Sequence, residues 1–110
     1  MIDLLLQQCV PQPKGSPALT TQEIVKLHTA VQAWQRLESD QALEREFKFK
    51  NYYETLAFVN AVAWIAHQQD HHPDMTLSYN RCRVYYRTHS VAGLSLNDFI
   101  CAALIDALIK

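Results

Sequence analysis

Three capped helical segments, separated by stretches in which apolar and polar residues alternate with period two, predict an α+β fold. The element order reads α-β-β-α-β-β-α, giving a four-stranded antiparallel sheet with three helices packed on one face. At 110 residues, of which 49% are hydrophobic and 19% charged, the chain has the size and balance of one domain with a substantial core. Residues 1–18 are expected to form an irregular arm and residues 19–110 the domain.

The arm is expected because "QQCVPQPKGSPAL" holds three of the four prolines and one of the two glycines. Regular structure then starts with Thr20 and Glu23 as a capping box, Leu19 stapled to Ile24, and Ile24, Leu27, His28 and Val31 at helical spacing, for about three to four turns. A lone histidine on such an apolar face reads as a packed structural residue, so His28 is not a site candidate. In "LEREFKFKNY", Leu43, Arg45, Phe47 and Phe49 alternate with Glu44, Glu46 and Lys48, as on a strand with one wet face. Its hairpin partner is expected at Trp34 to Glu38, with Ser39, Asp40 and Gln41 as the turn.

Asn51 caps a second, long helix with Glu54 at its third position, and Leu56, Val59, Ala63 and Ala66/His67 are expected to form its buried stripe. Pro73 disfavours the helical conformation at His72, so the helix is expected to end near His71. A short segment around Thr76 to Ser78 precedes the strand "RCRVYYRT", with Cys82, Val84 and Tyr86 on one side and Arg81, Arg83, Tyr85 and Arg87 on the other. Ser95 and Asp98 cap the last helix, with Leu94 placed to staple onto Phe99. That helix is apolar nearly all round, which marks it as a candidate subunit interface.

Ten basic against eleven acidic residues leave a net charge of -1, so no global field draws in nucleic acid or an anionic membrane. Arg81, Arg83 and Arg87 read as a solvated face or as ion-pair partners. The longest early apolar run is Leu4 to Leu6, which fits neither a signal peptide nor a spanning helix, and a cytoplasmic protein is expected. Cys9, Cys82 and Cys101 are odd in number and widely spaced, which argues against a disulfide framework and for small buried or half-buried thiols.

Four of the five histidines, His67, His71, His72 and His89, fall near the end of the second helix and the end of the last strand. His67 and His71 are four apart and would stack on one helical face, while Pro73 turns His72 away. His71, at the negative end of the helix and beside Asp70 and Asp74, is expected to favour its charged form. Two readings of the group stand open. One is a divalent metal site on His67 and His71 with His89 or an aspartate, although Gln68 occupies the place of the glutamate that metal hydrolysis needs. The other is acid/base catalysis without metal, shared among imidazoles whose ordinary pKa is about 6.5.

Together these residues resemble the pterin-4a-carbinolamine dehydratases, a family also known as dimerisation cofactors of a homeodomain transcription factor. The likeness rests on "LT" opening the first helix, Trp34, "FKFKNY", "DHHPD", "YN", "TH", "AGLS" and Asp98. Their spacing agrees: His67, three residues, "HHP", five residues, Tyr79, nine residues, His89, eight residues, Asp98. The resemblance implies loss of water from 4a-hydroxytetrahydropterin to give quinonoid dihydropterin, recycling the cofactor of aromatic amino-acid hydroxylases, with no metal or organic cofactor. By the same resemblance His71 and His89 would protonate the leaving hydroxyl, and His72 would orient the ring or accept its proton. His67, Pro73, Thr88, Ser90, Val91 and Asp98 would form the pterin-binding wall. His67 stands where many members carry a glutamate, and an imidazole there can accept a hydrogen bond but holds no fixed negative charge. A homodimer or homotetramer, functional coupling to a hydroxylase, and no nucleic-acid or membrane partner are implied. The alternative is a non-catalytic interaction or transcription co-regulator module on the same fold.

Overall fold

The computed structural model describes residues 3–109. Its helices are α1 (Thr21–His28), α2 (Tyr52–Gln69) and α3 (Leu96–Asp106), and its strands are β1 (Gln35–Leu37), β2 (Ala42–Lys48), β3 (Asp74–Leu77) and β4 (Arg81–Tyr86). The strands form one antiparallel sheet in the order β1-β2-β4-β3. The predicted α+β class and element order are the ones observed.

The sheet divides the chain into a dry and a wet face, as the period-two pattern requires. Leu43, Phe47, Cys82, Val84 and Tyr86 are buried on one face and join Phe58, Val62, Phe99, Ile100 and Ile105 from the helices in a single core. On the other face Arg83 meets Glu44 and Glu46, and Arg81 meets Glu46, so these two arginines of the basic stripe are ion-pair partners. Arg45 shares the core side with Leu43 and Phe47, where it lies over the Phe47 ring and pairs with Asp106, which also accepts from the Trp34 indole.

Both predicted capping boxes form, Thr20 with Glu23 and Ser95 with Asp98, and Asn51 accepts from the Glu54 amide. Helix α1 is shorter than expected, at eight residues. Thr29 turns its hydroxyl back onto the Lys26 carbonyl, and successive tight turns carry Val31 and Trp34 into the core. His28 is structural, its Nε2 lying 2.6 Å from the Trp34 carbonyl. The turn after β1 already includes Glu38, which with Ser39 and Asp40 has positive φ.

The buried stripe of α2 is not the one the sequence suggested. Thr55, Phe58, Val62, Ile65 and Ala66 face the core, Leu56 and Val59 are half-buried, and Ala63 and His67 are exposed. The helix is apolar over much of its circumference, so periodicity alone could not choose the stripe; tilted packing of Phe58 against Phe47 and Phe49 does. Helix α3 likewise finds its cover inside the chain. The N-terminal segment turns once at Leu4–Leu6, buries Leu4 and runs along α3, where the Val10 amide donates to Asn97 Oδ1 and Asn97 Nδ2 returns a bond to the Val10 carbonyl. Seven α3 residues are thereby buried within this one chain, and Leu108 and Ile109, just past its end, remain exposed.

Candidate active site

Helix α2 stops because Asp70 adopts a left-handed conformation, φ 52°, as its C-cap, and the amide of His71 bonds back to the Ala66 carbonyl. This removes His71 from the face that carries His67, so the two do not stack at helical spacing. His67 is exposed and lies against the Trp64 ring, away from any shared ligand geometry with His71. Among the described residues no three His, Cys, Asp or Glu side chains are grouped so as to hold a metal ion.

His71 instead turns into the interior. Its ring stacks on Tyr86 at 5.1 Å, and Nε2 lies 2.6 Å from Asp98 Oδ1. The other carboxylate oxygen, Oδ2, accepts from the Thr88 hydroxyl and the Ser95 amide, and Thr88 Oγ1 is 2.7 Å from Ser95 Oγ. Asp98 is fully buried, so a network of fixed donors holds this carboxylate where the capping box put it. Tyr86 also donates its hydroxyl to the His71 carbonyl, which fixes the residue at its backbone as well as its ring.

Burial works against the charge on His71, but the hydrogen bond and the charge of Asp98 outweigh it, with Cys101 and Asp70 adding in the same sense. The net effect raises the His71 pKa above its ordinary value. The carboxylate responsible is chiefly Asp98; the expected pair, Asp70 and Asp74, supplies only a minor part through Asp70. Because Nε2 is taken, Nδ1 is the ring nitrogen left for a substrate.

A cleft of about 360 Å³ lies over this pair. His71, His72, Thr88, His89 and Ser90 all line it, so the two histidine clusters of the sequence share one cleft. His89 opens a short 3-10 turn, His89–Val91, held by the Thr88–Gly93 bridge. Asp98 and Val91, assigned to the cleft wall from the sequence, are buried and do not line it. Pro73 and His67 do not line this cleft but an adjoining depression, which Asp70, His71 and His72 border as well. Two contributors had no signal in the sequence. The arm supplies Cys9, Val10 and Gln12 to the wall, and the end of β4 and its continuation supply Tyr85 and Arg87. Irregular backbone offers no periodicity that could have placed the arm there.

The sequence pattern of the family described as "Pterin 4 alpha carbinolamine dehydratase" matches residues 17–108. The chain belongs to this family. A protein of Nitrosospira multiformis, provisionally named as a pterin-4-alpha-carbinolamine dehydratase, is 52% identical over 98% of this chain and 94% of its own length. One of the same name from Stenotrophomonas maltophilia is 50% identical over 98% of this chain and 93% of its own. Among solved structures, the transcriptional coactivator/pterin dehydratase of Brucella melitensis superposes with a TM-score of 0.80 at 32% identity, covering 84% of this chain and 99% of that one. A pterin dehydratase-like protein described as a RuBisCO assembly factor of the alpha-carboxysome, at 22% identity and a TM-score of 0.61, shares the fold. In this member of the family, no helix among the described residues is long and apolar enough to cross a membrane.

Proposed function

We propose that this family member is a cytoplasmic dehydratase that removes water from a 4a-hydroxytetrahydropterin to give the quinonoid dihydropterin, and so regenerates the cofactor of an aromatic amino-acid hydroxylase. The observation that carries the reading is His71, clamped by Asp98 through Nε2 with its free nitrogen left for a cleft that His72 and His89 also line.

The chemistry asks for both a donor and an acceptor of protons. The C4a–O bond breaks with its electron pair on oxygen, and a proton delivered as it breaks lets the oxygen leave as water rather than hydroxide. The ring loses an N–H proton as the new C=N bond forms, so no oxidant or reductant is consumed. Asp98 keeps a proton on Nε2 of His71, leaving Nδ1 to carry the exchangeable one, and the raised pKa keeps the acid form populated nearer neutrality. His89 serves as a second acid, and His72 accepts or orients the ring N–H. The main chain of Thr88 and Ser90 supports the pyrimidinone edge of the pterin.

The test is the rate of quinonoid dihydropterin formation from carbinolamine generated by phenylalanine hydroxylase. Wild type should accelerate it well above the spontaneous reaction, and His71→Ala should lose about 10²- to 10⁴-fold. Retained turnover in a His71→Ala, His89→Ala double variant would falsify the acid assignment. We also infer a homodimer or homotetramer, supported by Tyr53 and Trp64 exposed on α2, which light scattering would read directly. The coactivator half of the Brucella name favours a second reading, an interaction module. That reading is preferred if the histidine variants and wild type are equally inactive.

A further inference from the structure

Two of the three cysteines, separated by 92 positions, meet beside the cleft. Cys9 Sγ lies 3.7 Å from Cys101 Sγ and 3.6 Å from the Asn97 carbonyl, and Cys101 Sγ is 3.9 Å from the His71 carbonyl. Cys9 is half-buried in the cleft wall, whereas Cys101 is fully buried behind it. A disulfide needs a sulfur separation of about 2.05 Å, so the pair must close by roughly 1.7 Å, within the reach of side-chain rotation on an irregular arm. Cys82, by contrast, is buried on β4 and makes no contact with a second thiol among the described residues.

We propose that Cys9 and Cys101 are a reversible dithiol/disulfide site, closed by a small oxidant of the peroxide class that enters through the cleft, and that the bond locks the N-terminal arm onto α3. Cys101 as thiolate takes the proton of Cys9 while the Cys9 sulfur, the one open to the cleft, attacks a peroxide oxygen; an S–O bond forms, the O–O bond breaks, and the leaving hydroxide takes that proton back from Cys101 and departs as water. The Cys101 thiolate so restored attacks the Cys9 sulfur, forming S–S and breaking S–O, and the expelled hydroxide takes a proton from solvent to leave as the second water. Two thiols are oxidised and one peroxide is reduced to two waters. The hydrogen bond from Cys9 holds Cys101 below its ordinary thiol pKa against the effect of burial, helped by Tyr86 and the charge of His71, and the same bond with burial pushes Cys9 up, so Cys101 is the base that must take the Cys9 proton before Cys9 attacks. Thiol pairs of this kind in a reducing compartment are transient sensors rather than structural staples.

The bond would tie two points far apart in sequence and therefore constrain the unfolded chain strongly. The experiment exposes fully reduced protein to hydrogen peroxide, blocks remaining thiols, and maps peptides by mass spectrometry. A cross-linked Cys9–Cys101 peptide, about 2 Da lighter than the two reduced peptides and restored by dithiothreitol, is expected in wild type and in Cys82→Ser. It should be lost in Cys9→Ser, whose half-buried arm position tolerates the change. The oxidised wild type should also melt several degrees higher than the reduced form, a difference absent from Cys9→Ser. Oxidation of Cys9 to sulfinic acid without a cross-link, or a cross-link through Cys82, would overturn the site. An unchanged melting temperature in the cross-linked protein would overturn the locking of the arm.

Discussion

At the scale of single residues, the site turns on one carboxylate. Asp98 faces His71, Thr88 and Ser95 at once, so its replacement by Asn should keep the shape and remove the charge that raises the His71 pKa. An NMR titration should show the His71 pKa above its ordinary value of about 6.5 in wild type and lower in Asp98→Asn, with turnover down by about 100-fold. Stability follows the same sign. A histidine whose folded pKa is raised contributes fully below its unfolded pKa and loses that contribution as pH rises through the folded value. The stability difference between wild type and His71→Gln should therefore be greatest below about pH 6.5 and shrink above it, measured by urea melts across that window. The sequence named all three cleft histidines, because clustering of a rare residue type is visible in one dimension. It gave Asp98 its place as a helix cap but not its bond to His71, because only the cap has a local spacing.

At the scale of elements, the caps can be ranked by what else their side chains hold. Thr20 serves only the exposed start of α1, so Thr20→Ala should cost about 1 kcal/mol in a denaturant melt. Ser95 is buried and also meets Thr88 beside Asp98, so Ser95→Ala should cost more, about 1–3 kcal/mol, and lower turnover as well. The left-handed Asp70 that frees His71 from α2 gives a third test: Asp70→Val should destabilise by about 1–2 kcal/mol, while Asp70→Gly should not. Helix starts and strands were legible because caps and alternation are local patterns. The length of α1 and the buried stripe of α2 were not, since tight turns ending in Trp34 and the tilted packing of Phe58 against Phe47 and Phe49 decided them.

At the scale of the whole molecule, the least legible feature was the arm. Its prolines announced irregular backbone, yet nothing in its composition told that it would cover α3 and wall the cleft. The apolar circumference that suggested a subunit contact is largely filled by Leu4 and the Cys9–Val10 segment of the same chain. Removing residues 1–12 should therefore lower the melting temperature, expose α3 to amide hydrogen exchange and raise the Michaelis constant for a pterin more than it lowers the turnover number. The His71–Asp98 pair itself, built from β4, α2 and α3, should survive the deletion.

That pair joins a residue following the second helix to one on the last, and the arm closes over both from the other end of the chain. A ribosome releases these parts in the order arm, histidine, carboxylate. Until then His71 has no Asp98 to clamp it and the arm has no Asn97 to grip. The cleft is thus complete only once α3 has been made, and a nascent chain stalled before Ser95 should hold a partial sheet with no clamped histidine.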